Sequence, residues 1–364
     1  MVFFPSLKSD SPKKLNISCP INKTGYGVAS LNILKQLNNI YDLYFFSLGG
    51  IYVENQQDHD IIKTVLNKQV NFDCNADYLK IWHQFDLATR VGNRNSKYSA
   101  LSFFELDTLN DFEQTHINCT DQMFVTSRWA KEVLLKNKIT TPVHVTPLGV
   151  DLNIFDYTKY AKANNDKYIF LNLGKWEIRK GHDILIDIFN NAFPSNSAEL
   201  WVMSAEHTNS YSNQEEIEKW HHVYNHPNVK IIPSVKNHEG IAELIAQADC
   251  CIFPSRAEGW NMELLESMAM NKPVIATDYS AHTEFCTASN TFLIPIDELE
   301  PAHDGKAFKG QGNWAKIGQK QIDMCIDYMR YLCFKQISTN PNGLNTAKQY
   351  SWNQTASLIQ KYIG

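Results

Sequence analysis

The chain has 364 residues, of which 43% are hydrophobic, 12% aromatic and 20% charged, with a formal net charge of −5. That length fits two domains better than one core, and the apolar fraction excludes intrinsic disorder. A net-acidic chain gives no support for a nucleic-acid or anionic-membrane surface, though it leaves a local basic cleft open.

No apolar run reaches the length of a membrane-spanning helix. The opening stretch MVFFPSLKSDSPKK lacks a basic start, an apolar segment and a small-residue cleavage site, so no secretory signal is expected. The eight cysteines form no CxxC pair. They read as buried, reduced thiols, and the expected location is cytoplasmic, free or peripheral to a membrane.

In chain order, Leu15–Ile17 reads as a strand, followed by the loop Asn22-Lys23-Thr24-Gly25-Tyr26-Gly27. A helix follows, with Val28, Leu31, Leu34 and Leu37 on one stripe. Further strands are predicted at Tyr44–Leu48, Leu79–Trp82, Ala100–Phe104, Met123–Thr126 and Val143–Thr146. The second half repeats the rhythm, with strands at Tyr168–Leu173, Leu200–Met203, Val229–Ile232, Cys250–Phe253, Val274–Thr277 and Phe292–Ile294. Helices are predicted between them, among them Ile184–Phe189, Ile241–Ala248 and Met262–Met270. The polar, Gly-containing stretch Asp297–Gly312 reads as a loop. This alternation predicts an α/β protein with two doubly wound, Rossmann-like parallel sheets facing across a cleft. The boundary is placed after Pro147-Leu148-Gly149-Val150-Asp151, giving domains 1–150 and 151–350.

Ligands of such sheets sit beyond the carboxyl ends of the strands, so the loops there carry the chemistry. One loop, Pro254-Ser255-Arg256-Ala257-Glu258-Gly259-Trp260-Asn261, leads into the helix from Met262. Asn261 is a good N-cap, and free N–H groups at that helix start suit a phosphate. Glu258 in the loop and Glu266 one turn into the helix place two carboxylates toward the cleft. A carboxylate accepts two vicinal hydroxyls well, as in ribose or a hexose. A capping acid plus a solvated helix acid accounts equally for the spacing. A second loop, Gly174-Lys175-Trp176-Glu177-Ile178-Arg179-Lys180-Gly181, brings Lys175, Arg179 and Lys180 to a strand end. It reads as a clamp on a diphosphate or as a solvated basic loop.

Glu258 and Glu266, with seven residues between them, resemble the E-x7-E signature of the large retaining glycosyltransferase family four. Gly174-Lys175 through Lys180-Gly181 resembles that family's donor loop, with Lys175 where Arg is usual. Val145–Asp151 is similar to its interdomain Pro-x-Gly-Val-Asp, and Lys272-Pro273-Val274-Ile275-Ala276-Thr277 with Glu284 to its usual continuation. Gly25-Tyr26-Gly27 stands where the family keeps an N-terminal glycine loop.

The resemblance implies a GT-B fold, with the last helix (about 351–364) crossing back to the first domain. It implies a retaining sugar transfer from a nucleotide-diphosphate sugar, UDP- or GDP-linked first among the candidates, with no metal and no further cofactor. The acceptor would be the hydroxyl of a glycan, a lipid-linked compound or another molecule; a modified nucleic-acid base and a catalytically silent binding module remain as alternatives. By the same resemblance Glu266 would hold the ribose and Glu258 the donor sugar. Lys175 and Lys180, with Arg179 beside them, would neutralise the diphosphate. Gly259, Trp260, Asn261 and Met262 would cradle the distal phosphate, and Val235 would lie at the base. Gly25 and Gly27 would let the N-terminal loop approach the phosphate. Two positions depart from the pattern. Asn261 replaces the family's second glycine, and Glu105 stands where many relatives have a sugar-facing His, with His83 as the alternative.

Overall fold

A computed structural model describes residues 12–195, 197–204 and 214–364. Most of the chain start, on which the leader reading rests, lies outside these residues. The first sheet contains β1 (Lys14–Ile21), β2 (Asp42–Ile51), β3 (Asp77–Ile81), β4 (Tyr98–Ser102), β5 (Gln122–Val125) and β6 (Val143–Val145). Its order is β2-β1-β3-β4-β5-β6, with every pair parallel. Its helices are α1 (Gly25–Leu37), α2 (Gln56–Asn67), α3 (Asp111–Asn118) and α4 (Arg128–Lys136).

The second sheet contains β7 (Tyr168–Leu173), β8 (Ala198–Met203), β9 (Val229–Ile232), β10 (Cys250–Phe253), β11 (Val274–Asp278) and β12 (Phe292–Pro295). Its order is β12-β11-β10-β7-β8-β9, again all parallel. Its helices are α5 (His182–Ala192), α6 (Gln214–Val223), α7 (His238–Gln247) and α8 (Met262–Ala269). Helices cover both faces, which is why β7 and β10 are buried at every position and read as apolar runs, broken only by Asn172 in β7. Each order reverses once, between β1 and β3 in the first sheet and between β7 and β10 in the second. Those switch points open a crevice at the strands' carboxyl ends.

The chain closes with β13 (Leu299–His303), β14 (Lys309–Ala315), α9 (Gln319–Lys335), α10 (Pro341–Ala347) and α11 (Trp352–Ile363). The loop expected over Asp297–Gly312 is instead the antiparallel hairpin β13–β14. Its anchors come from elsewhere in the fold. Trp314 and Ala302 bury against Ala257, and Leu106 of the first domain packs on them. Gln311 donates to Glu113 (2.7 Å) and the Asn313 amide to Asp107 (2.7 Å), so the hairpin straps the two domains together. A polar two-stranded ribbon has little stability of its own, and its local sequence therefore carries no strand signal.

Helix α11 lies on the first domain. The Tyr362 ring stacks on His144 at 3.6 Å, and Lys97 donates to the Tyr362 carbonyl at 2.6 Å. Gly149 makes this crossing possible, because a Cβ there would stand 2.2 Å from the Trp352 nitrogen. The buried side of α1 carries Ala29, Ser30, Ile33, Leu34 and Leu37, whereas Val28 and Leu31 are only half-buried. The expected stripe is thus rotated, because α1 packs against α11 as well as the sheet. Of the cysteines, Cys74 and Cys119 are exposed, against the expectation of burial; all eight are unpaired thiols. Among the described residues no helix is long and apolar enough to cross a membrane.

Candidate functional site

The loops after β7 and β10 flank the second switch point and touch each other. Gly181 sits at φ +80°, and a Cβ there would lie 2.3 Å from the Pro254 carbonyl oxygen. Only glycine combines that left-handed backbone with so close an approach. Lys180 then runs its aliphatic stem past Gly174, whose absent Cβ would stand 3.4 Å from Lys180 Cδ.

Lys180 Nζ ends 2.8 Å from Glu258 Oε1. From the other side Arg179 donates to Glu258 Oε2 (3.0 Å) and to the Ala257 carbonyl (2.7 Å). Its other terminal nitrogen donates to Glu177 (2.7 Å). Burial raises the cost of charging Glu258, but Lys180 and Arg179 outweigh it and hold the carboxyl down at about 2. Burial also opposes the Lys180 charge, and Glu258 and Glu263 overcome it, lifting the ammonium above its ordinary range. The buried cluster is therefore ionised on both sides, as paired buried charges must be.

Glu105, at the carboxyl end of β4, reaches the same cluster from the opposite domain, 4.0 Å from Arg179. Burial pushes its carboxyl upward; Arg179 opposes this, while Glu258 and Glu177 add to it. His83 follows β3. Its ring stacks on Phe85 (4.9 Å, 9° between planes) and lies 4.4 Å from Tyr26. Burial, with the positive charge of Lys175, holds His83 down at about 4, so it is neutral at pH 7. Lys175 is exposed and makes no ion pair among the described residues. Lys175 and Lys180 share a loop but not a contact.

Asn261 takes φ +75° and caps α8, accepting from the Leu264 amide at 3.2 Å. His282 Nδ1 lies 2.9 Å from the Thr277 carbonyl, so it carries the proton, and Nε2 accepts from the Asn261 amide at 2.8 Å. Asn261 is thus held in this backbone region by its own tolerance of it and by a buried histidine. Gly259 packs on the first domain: a Cβ there would lie 3.1 Å from the Phe104 nitrogen. Trp260 turns inward, its ring 4.9 Å from Phe285, which leaves only its backbone for a ligand. Met262 is half-buried and faces Gly25, whose Cβ would come 3.7 Å from Met262 Cε. Gly27 lies inside α1, and its missing side chain serves a different approach, since a Cβ would stand 2.3 Å from the Asn22 carbonyl oxygen.

Glu266 does not join Glu258. It is 7% exposed and lines a separate cavity of about 80 Å³ between the domains, with Asn22, Glu54, His238 and Asp151. Its carboxyl makes no hydrogen bond among the described residues, and burial pushes it up to about 8. Val235 lies in the β9–α7 loop, three residues before His238, and packs on Gly240, whose Cβ would come 3.1 Å from Val235 Cβ. His238, Glu54 and His282 are the site residues that sequence reasoning missed. His238 follows the cap Asn237 at a strand–helix corner, which is a signal of sorts. Glu54 has none.

The decisive comparison concerns the second domain. Residues 167–303 match the family model described as glycosyl transferases group 1. The match spans the β7 and β10 loops and supports a glycosyltransferase family. No curated protein matches the chain. Among solved structures, sucrose-phosphate synthase from Thermosynechococcus elongatus is similar with a TM-score of 0.69 at 12% identity, over 96% of this chain and 98% of that one. A glycosyltransferase from Rickettsia africae gives 0.66 at 15% identity, over 97% and 98%. The Anabaena protein HepE in complex with UDP-glucose gives 0.65 at 14% identity, over 96% and 99%. The fold is GT-B.

Proposed function

We propose that this protein is a glycosyltransferase that moves a sugar from a nucleotide-diphosphate sugar, UDP- or GDP-linked, to an acceptor hydroxyl with retention of configuration. The observation that carries the reading is the Lys180–Glu258 pair, made by two loops at the switch point beside the start of α8. Group 1 similarity over that stretch and the UDP-glucose bound by HepE favour the same donor class.

In this reading Lys180 and Lys175 take up charge as the diphosphate departs, and backbone N–H groups at the start of α8 hold its distal phosphate. These cations and the helix start would do the work a metal does in other enzymes. Glu258, kept ionised, accepts from hydroxyls of the donor sugar, and Glu266 hydrogen-bonds those of the ribose. Glu105 and His83 face the sugar from the first domain. The bond from the anomeric carbon to the phosphate oxygen breaks. The acceptor oxygen bonds to that carbon on the same face, and the released phosphate oxygen takes the acceptor proton. Catalysis then rests on positioning and charge stabilisation.

A thermal-shift panel of UDP-, GDP-, ADP- and dTDP-sugars tests the donor, since a ligand of the native state raises the melting temperature. One sugar nucleotide should stand out, and NMR of its transfer product should show the donor's anomeric configuration. A flat panel overturns the reading.

A further inference from the structure

The cavity at Glu266 is built by both domains. Glu54, just after β2 and just before the α2 cap Asn55, reaches across to His238, the first residue of α7. One carboxylate oxygen of Glu54 accepts twice, from His238 Nδ1 at 2.9 Å and from the His238 backbone N–H at 3.1 Å. Two bonds to one residue fix both the ring plane and the proton on Nδ1, as a carboxylate does for an imidazole at many functional sites. Nε2 is left with no hydrogen-bond partner among the described residues. The Glu266 carboxyl, buried and equally without a partner, lines the same cavity. A buried carboxyl without a partner is costly, and with the open Nε2 of the half-buried His238 on the same cavity it points to a ligand that supplies both contacts. The other charged groups around them include Glu239, Asp151, Glu263 beside Glu266 and the Lys35–Asp58 pair (2.7 Å), with Lys23 near Glu54. Among the described residues no unpaired lysine or arginine lines the cavity, which speaks for a hydroxyl ligand rather than a phosphate.

We propose that His238 is a ribose-binding residue and Glu54 its positioning residue, so that a cis-vicinal diol is gripped by His238 Nε2 and the Glu266 carboxyl together. The inference rests on the donor class proposed above and adds the first domain to the nucleotide site. At about 80 Å³ the cavity is far below the roughly 300 Å³ at which small-molecule sites begin. A whole nucleotide therefore fits there only if the two domains stand further apart.

The test is calorimetric titration of the full chain with UDP, GDP and ADP and with their 2′-deoxy forms. Wild type should prefer the ribonucleotide. His238→Ala and Glu54→Ala should each lose that preference by about tenfold, the worth of one hydrogen bond, through weaker ribonucleotide binding. Glu54→Gln, whose carbonyl still accepts from Nδ1, should keep most of it. A structural role alone would weaken both nucleotide forms alike. A wild type that binds a nucleotide while both alanine variants keep its ribo/deoxy ratio overturns this inference and leaves the donor class standing. A wild type that binds none of the six overturns both.

Discussion

Lys180 and Glu258 meet at 2.8 Å although each belongs to a different strand–loop–helix corner. The pair ties the β7 loop to the β10 loop and leaves the lysine's charge at the mouth of the switch point.

Removing that charge should slow the chemistry far more than it loosens the fold, because Arg179 still neutralises Glu258. Lys180→Ala is expected to lower turnover by at least ~100-fold, the scale seen when one charge-stabilising donor is lost. Steady-state kinetics with the donor found by the thermal-shift panel checks this. Near-normal turnover would remove Lys180 from the reaction.

Glu266 and Glu258 should give opposite pH signatures. Glu266 is pushed from an ordinary 4.5 to about 8, so its folded form holds a proton that its unfolded form releases. Its contribution to stability is full below pH 4.5 and is lost as pH rises toward 8. Glu258 is depressed to about 2, so its contribution is present above 4.5 and is lost as pH falls toward 2. Melting curves of Glu266→Gln should therefore gain on wild type between pH 5 and 8. Those of Glu258→Gln should lose most above pH 5 and approach wild type in acid. Parallel curves would contradict both shifts.

Asn261 separates backbone from side chain. Glycine tolerates φ +75° but cannot accept from Leu264, whereas alanine fails on both counts. Asn261→Ala should be less stable than Asn261→Gly by about 1–2 kcal/mol, the cost of a left-handed alanine. Both leave His282 Nε2 without its donor. Urea denaturation of the two variants checks the order.

Gly259 sets how closely the domains approach. A Cβ there would press on the Phe103–Phe104 backbone at 3.1–3.2 Å. Gly259→Ala should hold the cleft slightly open and cost tenfold or more in turnover, on the order of the penalty for sub-ångström to ångström misplacement. Its melting temperature should stay near wild type. Small-angle scattering should show a larger radius of gyration. An unchanged radius with unchanged turnover would argue that this contact is unimportant.

The sequence by itself determined the two parallel sheets, because a strand buried on both faces must be a continuous apolar run and a helix must carry its own period. Tyr168–Leu173, Val229–Ile232 and Cys250–Phe253 begin and end where the residues place them. It also marked the β7 and β10 loops, since glycines at 174, 181 and 259 and the cap Asn261 punctuate them locally. What the tertiary structure decided is every relation across domains or between distant loops. Arg179 becomes a fork on Glu177 and Glu258, Glu266 sits apart from Glu258, a polar stretch becomes the β13–β14 strap, and Glu54 finds His238. Local period and turn chemistry act over a few residues, whereas these contacts exist only once distant loops of one sheet, or the two sheets themselves, have come to rest against each other.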